Sequence, residues 1–150
     1  MRLALFEPDI PQNTGTLMRL CACLGVPLDI IEPCGFLLTD KNLKRAGMDY
    51  LDRLDMTRHM NWQAFQGTQD SARRVLLTTK ADTSFLDFRF KKDDILIAGR
   101  ESAGVPEDVH AACPARIIVP MVAGVRSLNV AVAASIVLSE ALRQTGLFPA

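Results

Sequence analysis

Apolar residues arrive along this chain in short runs closed by polar, Pro or Gly positions, and the period of the runs alternates. RLALF (residues 2–6) is nearly continuous and ends in EPDIP, the pattern of a central strand and its loop. NTGTLMRLCACLG places Leu17, Leu20, Cys21 and Leu24 at helical spacing with Gly25 as a stop, predicting a helix that starts near Asn13 or Thr14. PLDIIEP predicts a second strand, and the mixed region after it holds helical pieces in DKNLKRAG and WQAFQG. RRVLLTT, DDILIAG and IIVP predict the third, fourth and fifth strands. Between the last two, VPEDVHAAC reads as a short helix with Pro106 near its start and acidic residues in its first turn. A final helix follows Asn129, with Val130, Ala134, Val137 and Ala141 on one stripe.

Strands alternating with helices over the whole length predict an α/β fold, a largely parallel sheet covered on both faces. No repeat or linker interrupts it, so one domain over residues 1–150 is expected. Ligands in such sheets sit beyond the carboxyl ends of the strands, which directs attention to the loops after Leu77, Gly99 and Val119.

Composition narrows the picture by exclusion. Apolar residues make up 49% of the chain and charges are interspersed, which fits a globular protein. The apolar runs are far shorter than a membrane span, and Met1 leads into a polar-punctuated strand, so a cytoplasmic location is the default expectation. Cys21, Cys23, Cys34 and Cys113 form no C-x-x-C pair, and Cys21 and Cys23 point to separated sides of a helix, so they read as small buried hydrophobes. With His59 and His110 scattered, no metal site is expected. Seventeen basic residues balance seventeen acidic ones, which leaves only local cationic groups: Lys41, Lys44 and Arg45, then Arg58, then Arg89, Lys91 and Lys92.

Three loop segments carry candidate chemistry. In PQNTGTLMR, Asn13 can cap a helix and Arg19 lies one turn further in. In AGRESAGVP, Gly99 and Gly104 bracket Arg100, Glu101 and Ser102 at a strand end. This is neither G-x-G-x-x-G nor a P-loop, which removes most support for a nicotinamide enzyme or an NTPase. In VPMVAGVRSLNVAVA, either Ser127 or Asn129 can cap the last helix, and capping leaves the other, with Arg126, unexplained. Serine hydrolysis lacks both a G-x-S-x-G elbow and a histidine within a site-like segment.

Taken in order, PQNTGTLMR, AGRESAGVP and IIVPMVAGVRSLNVAVA resemble the three motifs of the SPOUT class of RNA methyltransferases. FEPDIPQNTG, IIEPCGF, LKRAGMDY and LLTTK are similar to its smallest members, the tRNA 2'-O-methyltransferases of the wobble nucleotide, at position 34. The resemblance implies an α/β fold with a C-terminal trefoil knot, a homodimer, and S-adenosylmethionine held by Leu77, Gly99, Val119 and Ser127 with Glu101, Met121 and Leu128 beside them. It implies a catalytic contact at Arg19, with Asn13 and Arg126 orienting the target nucleotide and Glu101 holding Arg19. Guanidinium stays protonated, so Arg19 suits a phosphate or a developing alkoxide better than the role of base. Without an appended RNA-binding domain, grip on a tRNA anticodon loop would fall to the dimer and to Lys41, Lys44 and Arg45. Ser139 stands where relatives often carry tyrosine, in the region expected to form the dimer contact. Two alternatives stay open: the same chemistry at another tRNA position or on ribosomal RNA, and a relative that binds RNA without catalysis.

Overall fold

The strands are β1 (Arg2–Phe6), β2 (Leu28–Ile31), β3 (Met56–His59), β4 (Arg74–Leu77), β5 (Ile95–Ala98) and β6 (Ala115–Ile117). In the computed structural model, which describes residues 1–39, 41–42, 50–69 and 71–150, they form one sheet in the order β3-β2-β1-β5-β4-β6. Every pairing between them is parallel. The helices are α1 (Pro11–Leu24), α2 (Trp62–Thr68), α3 (Glu107–Ala112) and α4 (Val130–Thr145). Alternation along each strand divides the interior in two. Leu3 and Leu5 of β1 pack with Leu17, Met18 and Cys21 of α1 and with Ala134, Val137 and Leu138 of α4. Ala4 and Phe6 face the opposite side, against Trp62 and Phe65 of α2 and Val109 of α3. Both faces of the sheet are therefore covered, as a parallel sheet requires.

Three features differ from the sequence reading, each for a local reason. MTRH forms a sixth strand, β3, although only His59 of its four residues is buried. It lies at the sheet edge and pairs only with β2, so it never had to be apolar. Helix α1 begins at Pro11, with Ile10 as an extended N-cap that offers no side-chain bond, so Asn13 is not the cap. Proline suits the first helical position because its φ is already helical and its missing N–H has no partner to lose there. Cys23 is exposed rather than buried, since two residues of helix turn it away from Cys21. Of DKNLKRAG, Lys41 and Asn42 are helical, whereas Lys44 and Arg45 lie outside the described residues.

The connection leaving β4 has an unusual course. Ile117 pairs with Leu77, and its carbonyl accepts from Thr78 N on the β4 side. Ile118 turns its backbone the other way: its N–H donates to Thr83 O (2.9 Å) and its carbonyl accepts from Phe85 N (3.0 Å). Thr83–Phe85 thus run along the edge of β6 opposite β4, before the same connection returns to β5. Among the described residues no helix is long and apolar enough to cross a membrane.

Candidate functional site

At the carboxyl ends of β4, β5 and β6 the loops enclose a cleft of about 410 Å³. The loop after β5 is closed on itself: Arg100 and Gly104 exchange both backbone hydrogen bonds, at 3.0 and 2.8 Å. A Cβ at Gly99 would lie 2.8 Å from the Gly104 carbonyl carbon, so only glycine permits this closure. Gly104 itself turns through φ +65°. The closed loop presents Glu101 and Ser102 at its tip.

A directed chain of hydrogen bonds joins this tip to α1 and α4. Asn129 caps α4, its Oδ1 accepting from Ala131 N (2.9 Å) and Val132 N (3.2 Å), which is worth about 1 kcal/mol to the helix. Its Nδ2 donates to Asn13 Oδ1 (2.9 Å), and Asn13 Nδ2 donates to Glu101 Oε1 (3.3 Å). The other Glu101 oxygen accepts from Asp9 N at 3.0 Å. In return Asp9 accepts from Glu101 N at 3.1 Å and from the Ser102 hydroxyl. The chain reaches Asp9 through Glu7, which takes a left-handed φ of +43° as the backbone leaves β1. Behind Asp9 sits Gly35, whose N–H donates to Pro8 O and whose Cβ, if present, would stand 2.7 Å from the Asp9 Cβ.

The two acids divide their protonation unequally. Burial pushes the Glu101 carboxyl above its usual range, and its hydrogen bond with the Asp9 carboxyl adds to the shift. The Asp9 carboxyl moves the other way, held low first by that same bond and then by the Ser102 hydroxyl. The two shifts run in opposite directions, so Glu101 is the member of the pair that takes up a proton first as pH falls. Arg100 does not neutralise them; it is ion-paired with Glu7, with its guanidinium 5.8 Å from the centre of the Phe6 ring.

Leu77, Gly99, Glu101, Val119, Met121, Ser127 and Leu128 all line the cleft, and so does Asn13. Asn129 takes the cap, so Ser127 is left to the cleft. Arg19 is not among the lining residues. It is exposed on α1, its guanidinium 5.0 Å from the Tyr50 ring centre and 3.4 Å from the Tyr50 hydroxyl. The expected Glu101–Arg19 contact is thus replaced: Glu101 holds Asn13 and Asp9, because α1 carries Arg19 to a different side. Arg126 is exposed on the loop after β6, and Lys41 is exposed beyond β2. Sequence reasoning missed Asp9, which contacts Glu101 across 92 positions and carries no local signal beyond an acid in a loop. No cluster of three or more metal-binding side chains occurs among the described residues.

Residues 1–139 match the SpoU rRNA Methylase family. A protein of Beijerinckia indica named tRNA (cytidine(34)-2'-O)-methyltransferase is 59% identical over 146 residues, covering 96% of this chain and 91% of that protein. The Escherichia coli K12 protein of the same name is 42% identical over 148 residues, covering 97% and 94%. A solved structure concerned with "the 2-OH methylation of C/U34 on tRNA" superimposes with a TM-score of 0.89 at 42% identity, covering 95% of this chain and 94% of that one.

Proposed function

The chain belongs to the SpoU rRNA methylase family, and we propose that it transfers a methyl group from S-adenosylmethionine to the 2'-hydroxyl of the wobble nucleotide of tRNA, cytidine or a modified uridine at position 34. The observation that carries this reading is one cleft at three strand ends that gathers Leu77, Gly99, Glu101, Val119, Met121, Ser127 and Leu128 around Asn13. Relatives named for this activity align along nearly the whole chain, which supports the choice of substrate over ribosomal RNA.

The cleft fits the cofactor in size and lining. Its volume lies within the roughly 300–1,000 Å³ of small-molecule sites. Leu77, Val119, Met121 and Leu128 offer apolar walls to a purine, while Gly99 leaves backbone within reach of polar edges. When bound, the cofactor supplies a sulfonium methyl that is already electrophilic. What the chain must add is alignment of the ribose hydroxyl and relief of the charge that develops on it. Asn13 and Arg126 orient the nucleotide, while Glu101 lines the cofactor side of the cleft and accepts from Asn13. Arg19 and Arg126 stay charged on the exposed side and take the RNA, Arg19 through the phosphate or the developing alkoxide. Lys41, with Lys44 and Arg45 near it in sequence, grips the anticodon loop.

Two further parts of the reading concern the chain as a whole. We assign a trefoil knot, supported by the connection that leaves β4, runs along the far edge of β6 and returns to β5. We also assign a homodimer in the cytoplasm. Val132 and Ile136, one turn apart on α4, are exposed and apolar, which supports pairing of two copies through this helix.

The test is methyl transfer from labelled S-adenosylmethionine to unmodified tRNA, followed by mass-spectrometric location of the methylated nucleotide. Label at position 34 supports the reading; label elsewhere, or cofactor binding with no transfer, overturns it. Arg19→Ala is expected to retain cofactor affinity and lose turnover about 100-fold.

A further inference from the structure

Asp9 stands outside the cleft and still controls what faces it. The chain has a fixed polarity. Because Asn129 Oδ1 is committed to the α4 N–H groups, its Nδ2 must point at Asn13, which makes Asn13 Oδ1 an acceptor and Asn13 Nδ2 a donor. Reversing the Asn13 amide would set two NH₂ groups against each other at Asn129. The orientation therefore holds only while Glu101 offers Asn13 a bare oxygen.

That condition depends on Asp9. Its carboxylate pins the loop tip by accepting from Glu101 N and from the Ser102 hydroxyl, and its own N–H donates to the far Glu101 oxygen. Gly35 closes the space behind it, with no room for a Cβ. We propose that Asp9 is a positioning residue of the transfer site: it braces Glu101 from behind so that one Glu101 oxygen always accepts from Asn13, holding the Asn13 amide in a single orientation at the cleft wall. The other charged groups nearby are already paired, Arg100 with Glu7 and Arg58 with Glu32; Cys34, whose thiol burial raises to about 11, is neutral.

The role in transfer rests on the methyltransferase reading, whereas the brace is a property of the protein alone. Two readouts keep them apart: the side-chain amide resonances of Asn13 in ¹⁵N-labelled protein without cofactor, and single-turnover methylation of unmodified tRNA. Asp9→Ala removes the brace. Asp9→Asn keeps an acceptor for Glu101 N and turns an N–H donor toward the Ser102 hydroxyl oxygen, which can accept it. Asn129→Asp keeps the helix cap and replaces the donor to Asn13 with a carboxylate oxygen, which can only accept. We expect Asp9→Ala and Asn129→Asp to bring the Asn13 amide pair to freely exchanging positions and to slow transfer by about 10- to 100-fold, with little change in the KM for tRNA. Asp9→Asn is expected to stay near wild type in both. Unchanged Asn13 resonances in Asp9→Ala overturn the brace, and so does an Asp9→Asn variant as impaired as Asp9→Ala. Unchanged resonances in Asn129→Asp overturn the polarity. Wild-type protein that methylates no tRNA overturns the functional reading, and the Asn13 resonances still decide the brace.

Discussion

Two carboxylate sites in this molecule solve the problem of burying acid in opposite ways. Asp29, fully buried on β2, accepts from Arg2 Nε (2.8 Å) and from a second Arg2 nitrogen (3.1 Å), and lies 2.8 Å from His59 Nε2. It is surrounded by cationic and donor groups, and it ties β1, β2 and β3 together. Among the described residues Asp9 and Glu101 have no such counter-ion. They share two backbone N–H groups, a hydroxyl and an amide, and one of them opens onto the cleft. The first arrangement gives the sheet an anchored edge. The second leaves an acid whose protonation and orientation can respond to what enters the cleft, and such arrangements are found at functional sites.

The largest expected difference between them is in stability. Asp29→Ala leaves Arg2 and buried His59 without their partner and is expected to cost about 3–5 kcal/mol in urea denaturation, since breaking a buried pair strands its other member. The fraction that remains folded should methylate at the wild-type rate; a specific loss of rate would erase the contrast between the sites. Next comes Gly35→Ala, which places a Cβ 2.7 Å from the Asp9 Cβ. Overpacking of this kind costs about 1–3 kcal/mol, and because the displaced residue is Asp9, slowed transfer should accompany the lowered melting temperature.

A smaller effect is the response to pH. Glu101 has its carboxyl raised in the folded protein, so its contribution is full below its ordinary value and is lost as pH rises through the raised one. Asp9 is lowered, so its contribution is full above its ordinary value and is lost as pH falls through the lowered one. Melting temperatures of wild type relative to Asp9→Asn should therefore be most favourable at mildly acid pH, between the two ordinary values, and decline on either side. A flat difference would remove the opposed shifts of the two acids. The smallest expected effect concerns two cysteines rather than two acids. Exposed Cys23 should react with a thiol reagent in the native state, while Cys21, whose thiol burial pushes up to about 12, should react only on unfolding. Equal rates would show that this face of α1 opens readily.

Periodicity made most of the framework legible, because every strand that must be apolar on both faces is apolar in sequence. Strand β3 escaped because an edge strand with polar residues has no such mark. The cleft walls could be named beforehand because strand-end loops with glycine and paired polar residues are local signals, and because five motifs in order resemble a known class. The course of the chain around β6 has no local signal, and ordinary connection rules argue against it. The Asp9–Glu101 contact was hidden for a different reason: its partners meet only after α1, β5 and the loop at Gly35 have been placed, and each residue alone is an ordinary acid in a loop. Arg19 meets Tyr50 rather than Glu101 on the same ground, since which side of α1 meets the cleft depends on how the helix lies on the sheet.

The backbone bonds that fasten Ile117 to Thr78 and Ile118 to Thr83–Phe85 have a consequence for traffic through the cleft. Thr78 and Thr79 line one wall, and the same connection secures the strand behind it, so that wall cannot swing away without unfastening β6. The stretch from Met121 to Leu128 has no regular secondary structure, is largely solvent-exposed and turns through Gly124 at φ +88°. Of these two walls the strip is the less fastened, so substitutions within it are expected to change the residence time of a bound molecule more than substitutions at Thr78 or Thr79.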